Sequence, residues 1–139
     1  MISISTLETT YKLKNKLKVR KWVKSILENE GKIAGDIAYV FCNDEYLLDL
    51  NEKYLKHDTL TDIITFDYSE KETLSGDIFI SIERVAENAV SYNTTLSAEL
   101  GRVMAHGILH LSGYKDKTSE DKKLMRSKED FYLAMFPNL

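Results

Sequence analysis

Cysteine and proline are nearly absent from this chain. A single thiol, Cys42, excludes an internal disulfide and suits a reducing compartment. The single proline, Pro137, stands at the far end and stops the last expected helix. No stretch is rich enough in proline, glycine or serine to read as a linker, and there is no internal repeat. No apolar run approaches the roughly 20 residues of a membrane span. The first residues, Met1-Ile2-Ser3-Ile4-Ser5, alternate like a strand and lack the layout of a signal peptide, so the expected location is cytoplasmic, with no membrane partner. An excess of positive charge is also missing. The net charge of −3 does not advertise a nucleic-acid binder, although a local basic patch can still serve one. What remains is ordinary for a globular protein, and 139 residues suffice for one domain, 1–139, with a real core.

Histidine is scarce as well, and its placement is the most informative feature. Two of the three histidines, His106 and His110, lie four residues apart within Ala105-His106-Gly107-Ile108-Leu109-His110-Leu111-Ser112-Gly113-Tyr114-Lys115-Asp116. On a helix they sit one turn apart on one face, where two imidazoles can share a metal ion. Leu100, Met104, Gly107, Ile108 and Leu111 form the apolar stripe of that helix. The histidines fall on its flank, in line with Glu99 and beside Val103, as the wall of a cleft requires. Gly113 can take the left-handed conformation that ends a helix and turns the chain back. The reversal would carry Asp116 to the two rings. Two histidines and one carboxylate with an open position form the pattern of a catalytic zinc rather than a structural one. A His-x-x-x-His pair alone is weak, and an Asp after a helix is commonly just a turn residue. The joint pattern His-x3-His-x2-Gly-x2-Asp is stronger, because each part has its own task in one geometry.

The spacing invites comparison with the metzincin proteases, His-Glu-x-x-His-x-x-Gly-x-x-His, in which the glutamate is the general base. Gly107 stands in that place and has no side chain. The pattern keeps metal ligands and loses the protease's base, which points to metal-assisted hydrolysis of something else.

The same stretch resembles the YbeY family of metal-dependent endoribonucleases, whose signature is His-Gly-x-Leu-His-Leu-x-Gly-Tyr-Asp-His. His106, Gly107, Leu109, His110, Leu111, Gly113 and Tyr114 match it. Lys115 stands where the family has Asp, and Asp116 where it has a third His. A carboxylate is an accepted zinc ligand, so Asp116 is kept as the third. The resemblance continues through Leu50-Asn51-x-x-Tyr54, Thr61-Asp62-Ile63-Ile64-Thr65-Phe66 and Gly76-Asp77-Ile78-Phe79-Ile80-Ser81. It implies one zinc, single-stranded RNA as substrate, and a role in ribosomal RNA maturation and ribosome quality control, with ribosomal proteins as further partners. The family also has a functional arginine after the aromatic residue at position 54. Leu55 occupies that position, and Lys56 and His57 are adjacent candidates for the missing positive group. Two other classes stay open: another zinc hydrolase of metalloprotease type, and a non-enzymatic ribosome-associated module with a structural metal.

Around this centre the pattern predicts an α+β fold, a single mixed sheet of about four strands with about five helices. Strands are expected at 2–7, 37–42, 62–68 and 76–81, the last two joined as a hairpin by a polar connection over 69–75. A helix over 15–29 is closed by Gly31, and Asn43, Ser81, Ser97 and Thr118 are expected to cap the four helices that follow. The last carries Leu124, Met125, Phe131, Tyr132 and Met135 as its apolar positions. Residues 12–24 hold seven Lys and Arg and no acid. Lys14, Lys18 and Lys21 line one outer face there, either as a solvated surface or as a contact for the RNA backbone.

Overall fold

The computed structural model describes residues 1–56 and 61–137. His57 lies outside the described residues. Among them the chain forms β1 (Ile2–Thr6), α1 (Lys16–Asn29), β2 (Ile33–Cys42), α2 (Asp44–Leu55), β3 (Ile63–Asp67), β4 (Thr73–Ser81), α3 (Ile82–Ser91), α4 (Leu96–Leu111) and α5 (Ser119–Leu133). The four strands make one sheet in the order β1-β2-β4-β3. β1 and β4 flank β2 in parallel, and β3 closes antiparallel on β4, so the sheet is mixed and the α+β expectation holds.

Alternation along the strands divides the interior in two. Ile37, Tyr39, Phe41, Leu74, Ile78 and Ile80 face the main core, which α1 and α4 cover. Ile64, Phe66 and Phe79 face the other side, where Leu47 of α2 and Cys42 complete a smaller cluster. Helix α4 lies at the centre of the main core, with Leu100, Met104, Ile108 and Leu109 inaccessible to solvent. Tyr39 in the sheet donates its hydroxyl to the Met104 carbonyl at 2.9 Å, which fixes the helix two residues before His106. Helix α5 packs across α4, held to α1 by the Trp22 indole N–H on the Tyr132 carbonyl at 2.9 Å.

Three boundaries differ from the sequence reading by more than one residue. β2 begins at Ile33 because Gly35 and Asp36 interrupt its apolar run at a bulge, where the pairing register with β4 shifts. β4 begins at Thr73. Polar Thr73 and Ser75 flank the buried Leu74 at its start, and the turn before it is closed by Lys71 at φ 54° and a bridge between Glu70 and Thr73. Helix α4 is capped by Thr95, whose hydroxyl accepts from the Ala98 N–H at 3.0 Å, and Ser97 sits inside the first turn. Both residues are good caps, and the one that reaches the N–H three residues on decides the start. The expected stripe of α5 is also narrower. Met125 and Tyr132 are buried, whereas Leu124, Phe131 and Met135 are exposed, because α5 presents only one side to α4.

Candidate metal centre

The site is built where α4 ends. Gly113 takes φ 107°. The Tyr114 N–H bonds the Leu109 carbonyl at 3.0 Å and the Gly113 N–H bonds the His110 carbonyl at 3.0 Å, the paired bonds of a Schellman cap. The chain then doubles back. Tyr114 anchors the returning loop by donating its hydroxyl to Glu30 at 2.6 Å. The Glu30 side chain is largely covered and also accepts from Tyr132 and Lys128. Burial pushes its pKa up, but these three donors outweigh that and hold it below the usual carboxylate range. An anionic anchor thus fixes Tyr114, two residues before Asp116.

Asp116 Oδ2 lies 3.4 Å from His106 Nε2 and 3.3 Å from His110 Nε2. One donor atom from each of the three residues falls within 4.8 Å of the others. In a tetrahedral site with bonds of about 2.0–2.1 Å, neighbouring donors stand about 3.3 Å apart. The Asp116 distances match that spacing, so both the donor set and its geometry fit a zinc-sized ion. The rings meet edge to face at 81° with centroids 4.5 Å apart. The expected trio is therefore brought together, with its third member supplied by the turn after Gly113.

A fourth residue, not foreseen from the sequence, holds His106 in place. Glu129 of α5 is buried, and its Oε2 lies 2.6 Å from His106 Nδ1. An ionised carboxylate only accepts, so Nδ1 is the donor to Glu129 and Nε2 is the nitrogen that faces Asp116. Arg102 fixes Glu129 in turn at 3.0 Å and also pairs with Asp130. Burial pulls the His106 pKa down, but the Glu129 hydrogen bond and the charges of Glu129, Asp116 and Asp62 outweigh it and raise it above the ordinary value. Asp62 and Glu99 lie nearby, and burial raises both their pKa values. In Glu99 the charge of Asp62 adds to the effect. No local motif marks Glu129, since α5 alone brings it to α4.

The trio opens into a cleft of about 550 Å³ whose other walls include Asn51, Leu55, Asp62, Thr65 and Asp67. Gly107 does not face it freely: a Cβ there would stand 3.0 Å from Ile78 Cγ2 and 3.1 Å from Ile63 Cδ1. The position that carries the base in metzincins is here pressed against the sheet. Lys56 caps α2 in a left-handed conformation and is exposed; Leu55, not Lys56, lines the cleft among the described residues. Lys18 and Lys21 are exposed on α1, and Lys14 lies just before it; none of the three lines the cleft.

Residues 3–137 match the family model described as Endoribonuclease YbeY. The chain belongs to the YbeY family. Relatives named Endoribonuclease YbeY include that of Flavobacterium johnsoniae, 53% identical with 93% of each chain covered. The protein of the same name from Cytophaga hutchinsonii is 50% identical, covering 92% of this chain and 90% of its own. The solution structure of TM1509 from Thermotoga maritima superposes with a TM-score of 0.67 at 28% identity, over 96% of this chain and 87% of that one. The family match over residues 3–137 spans both histidines, the Gly113 turn and α5.

Proposed function

We propose that this YbeY-family chain is a zinc-dependent, single-strand-specific endoribonuclease that acts on ribosomal RNA in the cytoplasm, in its maturation and in ribosome quality control. The observation that carries the reading is the convergence of His106 Nε2, His110 Nε2 and Asp116 Oδ2 at the spacing of one small ion. The relatives' shared name, endoribonuclease, supplies the substrate class. When bound, a zinc ion supplies Lewis-acid charge for phosphodiester cleavage. The chain's own residues do the rest. Glu129 holds the His106 proton on Nδ1, and Arg102 holds Glu129. Glu30, through Tyr114, sets the loop that delivers Asp116. Asn51 and Thr65 line the same cleft. A metalloprotease reading lacks support, because Gly107 supplies no carboxylate and a Cβ there would press on Ile78 and Ile63. Among the described residues no helix is long and apolar enough to cross a membrane.

The test uses purified protein and defined single- and double-stranded RNAs, with and without a chelator, beside His110→Ala. The reading predicts cleavage of the single strand alone, lost with chelator and in the variant. Cleavage indifferent to both would overturn it. Tight metal binding with no cleavage would point instead to the ribosome-associated module with a structural metal.

A further inference from the structure

The cleft is acidic. Asp62, Asp67 and Asp116 line it, and Glu99 and Glu129 border the adjoining recess. A polyanion entering here needs cations close by, because the chain as a whole is negative. Arg102 borders the recess but is committed to Glu129 and Asp130. Arg126 and Lys122 are not so committed. Both line a small recess that also contains His106 and Asp116. Arg126 is 65% exposed, and its one ion pair among the described residues is a long contact of 4.0 Å to Asp130, which Arg102 already holds. Lys122 and Lys123 are exposed, and no carboxylate among the described residues pairs with them. From that recess a shallow groove runs on along α5, lined by Ser119, Lys122, Lys123, Arg126 and Ser127, with Asp130 as its acid. Lys122 and Arg126 are four residues apart and so share one side of the helix, spaced on the order of neighbouring phosphates.

We propose that Lys122, Lys123 and Arg126 of α5 carry the phosphate backbone of the single RNA strand as it passes the metal cleft, with Arg126 on the phosphate nearest His106 and Asp116. This rests on the RNA reading above. It assigns the electrostatic contact to α5, whose cations border the site, rather than to the more densely basic α1, whose lysines do not. Ser119 and Ser127 add hydroxyl donors along the same track.

The test compares two charge-matched variants. One is Lys122→Glu with Lys123→Glu and Arg126→Glu; the other is Lys14→Glu with Lys18→Glu and Lys21→Glu. Both carry the same net charge. Binding of a fluorescent oligouridylate is followed by anisotropy across a salt series, with chelator present so that the strand is not cut. Loss of three phosphate contacts at about 0.7 each should flatten the slope of log K against log salt by about 2 in the α5 variant, and weaken binding on the order of a hundredfold near 0.1 M salt. The α1 variant should keep the wild-type slope, and the triple glutamine variant of the α5 residues should reproduce the α5 result if glutamates disturb folding. Zinc affinity should be unchanged in all of them. Equal slopes in both glutamate variants would overturn the assignment while leaving the RNA reading intact. A wild type that neither binds nor cuts RNA would overturn both.

Discussion

Glu129 orients His106, one of the two neighbouring histidines. Without its carboxylate, the His106 ring would lose the bond that sets its tautomer, and Arg102 would lose one of its two partners. Outer carboxylates of this kind typically contribute 10- to 100-fold in metal affinity. Glu129→Gln should therefore weaken zinc binding by about that factor, read by calorimetric titration, while leaving a folded protein. The same substitution should lower the His106 pKa in metal-free protein, because the largest favourable contributions to the imidazolium come from Glu129; ring-proton NMR shifts across pH would show it. An unmoved His106 titration would separate Glu129 from the site. His106 and His110 are legible in the sequence because one helical turn relates them. Asp116 is legible through the glycine that redirects the chain. Glu129 is not, since it lies 23 residues from His106 and meets it only through packing of α5 on α4.

Helix α4 can serve as the site's floor because Gly107 lets it lie close on the sheet. A methyl there would meet Ile78 and Ile63 at 3.0–3.2 Å. Gly107→Ala should cost about 1–3 kcal/mol by overpacking, offset in part by the better helix propensity of alanine, and chemical denaturation measures it. Gly113→Ala tests the turn. Nothing crowds a Cβ there, but φ of 107° is a conformation that L side chains rarely adopt, so a loss of about 1–2 kcal/mol is expected. Because the strain falls on the turn that delivers Asp116, zinc affinity should drop as well; stability lost at constant affinity would detach the turn from the site. The elements were readable where periodicity was unbroken, as in α1 and α4. They were not where polar residues sit in strands. Gly35 and Asp36 mask the first part of β2, and Thr73 and Ser75 mask that of β4, since their places come from pairing with a neighbour rather than from apolar pattern.

Taken as a whole molecule, the metal-free protein should be least comfortable at alkaline pH. His106, Asp62 and Glu99 all have pKa values raised in the fold. Each binds its proton more tightly folded than unfolded, so its stabilisation is present at low pH and lost as pH rises. For the two carboxyls the loss begins near about 4; for His106 it begins near about 6.5 and ends at its raised folded value. Glu30 acts oppositely, losing its contribution only as pH falls below the usual carboxylate range. The Tm of metal-free protein should thus decline as pH rises above about 6.5, chiefly through His106. Zinc demands neutral rings, so the Tm rise on adding zinc should grow over the same interval. A zinc effect that shrinks with pH would contradict imidazole ligation. The mixed sheet and five helices were expected from the order of elements. The convergence of α1, α4 and α5 on one loop was not, because Glu30, Tyr114, Lys128 and Tyr132 meet only in three dimensions. The most direct test of the central claim is a zinc titration of metal-stripped protein, monitored by cleavage of a defined single-stranded RNA. Activity should be absent at the start, rise with added zinc and saturate at one equivalent. Full activity before any zinc is added, or none after one equivalent is bound, would contradict the account.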